Sequence, residues 1–249
     1  MKNGVIKVDG AKIGLLSGMG PLAGGDVLQK VLRYAAEKYG AVEDSDYPDI
    51  ALLSHGIAGF DAEGTLHPNF AAELSAMAKE MNAGKPSVIG VACNTAHICF
   101  DTIKQAVQAP VVHLPKAVAK EAAKYDGSFL LLCSHATKKS GMYHAVLQEA
   151  GVKFVELTEQ EQNELDAAVG LVMAFKLSEA AAKIAPIVQS YQDVVDGYIV
   201  GCTELPIAFA LLPLHTKICI DSNMVLAKAL TDHCYQKVSQ APYGEVAQA

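Results

Sequence analysis

Val88-Ile89-Gly90-Val91-Ala92-Cys93-Asn94-Thr95 is an unbroken apolar run that ends in a cysteine and two small polar residues. Apolar residues without polar alternation suit a strand buried on both faces, as in a parallel sheet covered by helices. The run has an echo in Tyr198-Ile199-Val200-Gly201-Cys202-Thr203-Glu204. A second echo pairs Leu15-Leu16-Ser17-Gly18 with Leu131-Leu132-Cys133-Ser134. Apolar strands resemble one another, so the echoes gain weight only from their surroundings.

Outward from these runs, strands and helices alternate. Ile13 to Leu16, Asp49 to Leu53, Val111 to Leu114, Phe129 to Leu132, Lys153 to Leu157, Tyr198 to Val200 and Lys217 to Ile220 read as strands. Val27, Leu28, Val31, Leu32 and Ala35 share one helical face that Gly40 closes, and Leu74, Met77, Ala78 and Met81 form another that stops near Gly84. Helices are also expected from about Thr95 to Val107, in the Lys- and Ala-rich stretch before Phe129, from Gly141 to Ala150, twice between Leu157 and Tyr198, and from Met224 to Val238, with a loose tail from Ser239. This rhythm predicts an α/β fold of mostly parallel sheets flanked by helices, with ligands at the carboxyl ends of strands. The echoes suggest two pseudo-symmetric domains, set at residues 1–109 plus 216–249, carrying Cys93, and 110–215, carrying Cys202.

Composition narrows the function. The chain has 249 residues, 51% of them hydrophobic and 19% charged, so a substantial core is expected. The net charge of −7 and the lack of any Lys/Arg run argue against a nucleic-acid partner. No apolar stretch is long enough for a membrane span, and the first ten residues lack the apolar core of a signal peptide. A cytoplasmic protein is expected. Its six cysteines include no Cys-x-x-Cys pair and should stand as thiols.

Cys93 and Cys202 each follow an apolar strand and precede residues that can start a helix. Unpaired N–H groups and the helix dipole would lower such a thiol from about 8.5 to roughly 3.5–7.5. Buried filler is the alternative for any single cysteine; two in matching positions weaken it. Two opposed thiols can take a proton from one face of a carbon and return one to the other, as racemisation requires.

With these motifs in hand, the chain resembles the pyridoxal-independent aspartate/glutamate racemase family, nearest its aspartate racemase branch. Gly14-Leu15-Leu16-Ser17-Gly18-Met19-Gly20-Pro21 is similar to the branch's opening, and Ala92-Cys93-Asn94-Thr95-Ala96-His97 to its first cysteine motif. Lys139-Ser140-Gly141-Met142-Tyr143 fits the mid-chain loop, Gly201-Cys202-Thr203-Glu204-Leu205-Pro206 the second cysteine motif, and Asp221-Ser222 the Asp-Ser near the end. The resemblance implies two pseudo-symmetric α/β domains with the active site in the cleft between them, a homodimer, no cofactor and no metal. It implies an amino-acid substrate, aspartate or glutamate, with Cys93 and Cys202 as the two bases. Met19, Asn94, Thr95, Ser134, Thr137, Lys176, Thr203 and Glu204 would then bind substrate, Lys176 by neutralising its charge.

Other readings stand beside these. Lys176, taken without the family, is a solvated charge on an amphipathic helix. Glu204 either touches substrate or supports the Cys202 helix. His97 packs and hydrogen-bonds beneath Cys93. His55 and His135 lie near strand ends, without metal-ligand spacing. Gly18-x-Gly20 does not continue into a dinucleotide motif. The branch's Pro-Asp-Arg-Thr-like segment is replaced by His55-Gly56-Ile57-Ala58-Gly59-Phe60-Asp61-Ala62-Glu63-Gly64-Thr65, which has no arginine for a substrate carboxylate, while Asp61 and Glu63 would repel one. A neutral or cationic amino acid is therefore also compatible. An isomerase or decarboxylase of a small dicarboxylate, and a non-catalytic amino-acid-binding relative, are the alternative functions.

Overall fold

A computed structural model describes residues 5–61, 64–213 and 217–237. The chain opens with β1 (Val5–Lys7), β2 (Lys12–Ser17), α1 (Pro21–Tyr34), β3 (Asp49–Ser54), α2 (Phe70–Ala83), β4 (Val88–Val91) and α3 (Phe100–Ala106). It continues through α4 (Leu114–Ala122), β5 (Ser128–Leu132), α5 (His135–Lys139), α6 (Met142–Glu149), β6 (Lys153–Val155), α7 (Glu159–Met173), α8 (Leu177–Ser190), β7 (Gly197–Val200) and α9 (Leu205–Phe209). β8 (Ile218–Asp221), α10 (Ser222–His233) and β9 (Tyr235–Lys237) complete it.

Two parallel sheets result, ordered β3-β2-β4 and β6-β5-β7-β8. Successive strand residues point to opposite faces, and the burial follows that rule. Ile13 and Leu15 of β2 and Phe129 and Leu131 of β5 enter one shared core with α1, α4, α6 and α10. Leu16 instead joins an outer core with Leu74, Met77 and Met81 of α2. Leu130 and Leu132 join another with α7 and α8. The helices shared between the sheets bring the carboxyl ends of both sheets together.

Local signals set the helix ends. Pro21 begins α1, where its missing N–H costs nothing. A π-helical turn, Ala35–Tyr39, follows, and Gly40 closes it at φ 71°. Thr158 and Glu161 form a reciprocal cap on α7.

Several expectations need correction. Leu32 is exposed, and the core face of α1 instead buries Lys30, whose ammonium meets Asp26 at 2.5 Å and Asp221 at 2.7 Å. Val111–Leu114 is not a strand: Val111 makes one bridge to Ile89, and Leu114 already starts α4. The last helix stops at His233 rather than reaching Val238, which lies outside the described residues. Tyr235 there turns inward to stack on Tyr39, ring centroids 4.1 Å apart, and β9 pairs antiparallel with β1. β8 hydrogen-bonds to β7 in the second sheet, and α10, which follows it, packs against α1 and α4.

Candidate active site

The two sequence echoes meet as pairs. Ala92 N–H donates to Leu16 O at 2.8 Å, and Gly201 N–H donates to Leu132 O at 2.8 Å. Each cysteine strand is thus carried one residue past its ladder by the strand of the second echo. Cys93 and Cys202 come next, at matching places on the two sheets.

Both cysteines border one cavity of about 420 Å³, a size typical of small-molecule sites. Met19, Asn94, Thr95, Ser134, Thr203 and Glu204 border it too. Thr137 is fully buried behind the wall, 2.7 Å from the Thr95 hydroxyl, and Ser134 Oγ also lies 3.2 Å from Thr95. Lys176 is not on the wall: it precedes α8, is about half exposed, and its ammonium lies 3.5 Å from Glu179. Its position one residue before a new helix turns it outward, so it is a solvated charge in this structure. His55 is likewise outside, near Glu80, whereas His135 is on the wall. Glu63 lies outside the described residues.

Polar bonds stitch the loops of the two halves. Gly20 N–H donates to Glu204 Oε1 at 3.0 Å, and Thr203 Oγ1 donates to Ala92 O at 3.2 Å. Asn94 accepts from Tyr143 Oη at 2.7 Å and donates to Ser222 Oγ at 3.2 Å. His97 lies beneath Cys93. Leu114 N–H points at its Nε2 at 3.1 Å, so Nε2 accepts and Nδ1–H donates to Cys93 O at 2.9 Å. Burial lowers this imidazole to about 4 and keeps it neutral.

The thiols depart from expectation. Burial, reinforced by the Glu204 carboxylate, pushes Cys93 up to about 12. The same two causes, in the same order, hold Cys202 well above its ordinary value. The N–H groups of Thr95 and Ala96 do pull Cys93 down, but they lose to desolvation. The helices behind the cysteines are a 3-10 turn, Thr95–Cys99, and the five-residue α9, too short to develop much dipole. Cys202 Sγ lies 3.4 Å from Glu204 Oε2, and burial raises that carboxyl as well.

Sequence reading missed one wall. Asp166, Val169, Gly170 and Met173 of α7 line the cavity. Their spacing is that of one helical face, which a helical projection of 159–173 would have found. Ile57 and Phe60 join Asp61 from the loop after β3. No Lys or Arg lines the cavity among the described residues, and His135 is the basic side chain on its wall. No group of three His, Cys, Asp or Glu is placed to hold a metal, and no helix is long and apolar enough to cross a membrane, among the described residues.

Known proteins agree with this architecture. The sequence pattern of the Asp/Glu/Hydantoin racemase family matches residues 16–230. The broad specificity amino-acid racemase RacX of Bacillus subtilis (strain 168) is 26% identical over 220 residues, 87% of this chain and 95% of that protein. The Picrophilus torridus aspartate racemase has the same fold, with a TM-score of 0.80 at 24% identity over 92% of this chain and 96% of its own. An aspartate racemase homologue from Pyrococcus horikoshii OT3 gives a TM-score of 0.71 at 27% identity, over 89% of this chain and 97% of its own. With paired cysteines at the strand ends of two parallel sheets and a match that spans both, the chain belongs to the Asp/Glu/hydantoin racemase family.

Proposed function

We propose that Cys93 and Cys202 are the two bases of a cofactor-independent racemase and exchange the α-proton of an amino acid across the cavity. The observation that carries this reading is that both thiols, each just past its strand, border the same cavity from different sheets. One cysteine as thiolate removes the α-proton; the other, as thiol, delivers a proton to the opposite face, and reversal exchanges the roles.

Resting thiols held this high are neutral, so the pocket must create its thiolate when substrate arrives. Glu204 is positioned to take the Cys202 proton, since Sγ–H donates to its Oε2 at 3.4 Å. The substrate ammonium adds the positive charge that favours the thiolate. Met19, Thr95, Ser134 and Thr203 are the wall residues assigned to hold the substrate's common atoms. Thr137 supports Thr95 and Ser134 from behind. The Thr95 and Ser134 hydroxyls on the wall suit the carboxylate, whose charge grows as the α-proton leaves.

An amino-acid substrate is carried over from the named activity of the Bacillus subtilis relative. A homodimer and a cytoplasmic setting belong to the same reading, and six free thiols fit a reducing compartment.

The test is α-deuterium uptake in deuterated water from single-enantiomer amino acids, followed with chirality of the product. Exchange with inversion, abolished in Cys93→Ala and in Cys202→Ala, is the expected result. A product lacking one carbon would mean decarboxylation, and tight binding with no exchange would mean a binding protein.

A further inference from the structure

The cavity wall away from the cysteines bears on the substrate side chain. α7 turns Asp166, Val169, Gly170 and Met173 toward it, and the loop after β3 contributes Ile57, Phe60 and Asp61. The wall is therefore largely apolar, with the two carboxylates and the neighbouring His135 set into it. Asp166 is fixed: its oxygens accept from His135 N–H at 3.1 Å and from the Gln162 side-chain amide at 3.4 Å. Both donors are neutral amides, and the charges that favour its ionised form come from His135 and Lys138. The loop after β3 lies against α5, because a Cβ placed on Gly64 would lie 3.1 Å from Ala136 Cα and from His135 Cδ2, and His135 N–H in turn bonds Asp166 of α7.

We propose that this cavity selects amino acids whose side chain is a cation on an apolar stem, namely lysine, ornithine or arginine, with Asp166 and Asp61 receiving the charge. The inference rests on the racemase reading above and names its substrate class. Methylene groups lie along Ile57, Phe60, Val169 and Met173 while the charged head reaches the carboxylates, the division such side chains adopt at protein surfaces. Burial raises the Asp166 carboxyl above its ordinary value, a penalty on its charged form that a bound cation offsets. An aspartate or glutamate side chain meets the reverse. It would bring a third carboxylate to a wall that, among the described residues, offers no Lys or Arg. Lys176 does not supply one, since it sits outside, beside Glu179.

The experiment compares kcat/KM for α-deuterium uptake from lysine, norleucine and glutamate. Norleucine has lysine's stem without the ammonium group. Wild type, Asp166→Asn and Asp61→Asn are compared, each checked for folding by circular dichroism. Lysine is expected to exceed both other substrates at least tenfold. Each variant should lower lysine at least several-fold more than norleucine, with Asp166→Asn the larger effect. Glutamate or norleucine matching lysine would overturn the proposal, as would variants that lower all three equally. If no amino acid exchanges, the racemase reading fails on its own, and calorimetry of the same three ligands with wild-type protein still decides selectivity. Lysine binding at least tenfold tighter than norleucine supports the cation site, and equal or weaker binding removes it.

Discussion

Tyr143 Oη donates to Asn94 Oδ1 at 2.7 Å, and both side chains are buried. Tyr143 belongs to α6 of the second half, and Asn94 is the residue after Cys93. With Nδ2 donating to Ser222 at the start of α10, both ends of the Asn94 amide are occupied by protein. Its task is therefore to hold the Cys93 turn against two helices. The tyrosine also limits its neighbour on the other cysteine strand, since a Cβ on Gly201 would lie 2.9 Å from the Tyr143 ring. One aromatic side chain thus sets the positions of both cysteine turns.

Tyr143→Phe keeps the ring and removes the donor, leaving Asn94 Oδ1 unsatisfied in the interior. An unpaired buried acceptor costs about 1–3 kcal/mol. We expect a loss of that size in urea unfolding, with a lower midpoint, an unchanged slope and reduced turnover. An unchanged midpoint would mean that the bond contributes nothing.

His97 predicts acid sensitivity. In the folded chain its imidazole titrates near 4, against 6.5 ordinarily. The unfolded chain therefore holds a proton that the folded chain refuses between those values. Stability is fully present above pH 6.5 and is lost as pH falls toward 4. At about 1.4 kcal/mol per pH unit, the loss approaches about 3 kcal/mol. Urea midpoints measured across that window should fall in wild type and fall less in His97→Gln. Parallel lines for the two proteins would assign the acid loss to other groups.

Glu204 predicts thiol reactivity. Its carboxylate accepts from Gly20 N–H at 3.0 Å and from Cys202 Sγ at 3.4 Å, and Thr203 Oγ1 lies 3.2 Å from it. Its charge opposes ionisation of both Cys93 and Cys202. Glu204→Gln keeps the shape and removes that charge. Alkylation of the two thiols should then begin at lower pH, while racemisation falls because the proton acceptor for Cys202 is gone. An unshifted alkylation profile would show that burial alone sets the thiols.

How much of this was legible in the sequence follows from how locally each feature is determined. The cores of β2, β4, β5 and β7 could be read from uninterrupted apolar runs, because a strand buried on both faces needs no partner to declare itself. Leu74, Met77, Ala78 and Met81 were placed by periodicity alone, and all four are buried. The family match spans residues 16–230, most of the chain. The failures concern long-range geometry. Lys30 takes a core position on α1 because Asp221, far along the chain, provides a counter-charge. The last helix gives way to β9 because Tyr39 offers Tyr235 a stacking partner. The thiols are raised because burial depends on the closed cavity, which no local spacing reveals. Asp166 stood on a readable helical face, but only the fold shows which face of α7 meets the cavity.

Gly24 provides a test in which two effects oppose each other. It lies inside α1, where replacing glycine by alanine ordinarily gains up to about 1 kcal/mol of helix stability. Here a Cβ would overlap Ser17 Oγ at the end of β2, and it would also lie 3.1 Å from Leu52 Cδ1 of β3. Ser17 is fully buried and cannot swing into solvent. Helix and sheet would have to separate, at a cost of about 1–3 kcal/mol for overpacking a filled interior. The steric term is the larger, so Gly24→Ala should lower the thermal midpoint by a few degrees. The double variant Gly24→Ala with Ser17→Gly, which removes the obstructing hydroxymethyl group, should recover part of that loss relative to Ser17→Gly alone. A Gly24→Ala protein more stable than wild type would show that the α1–β2 contact is looser than the close approach of these two residues implies.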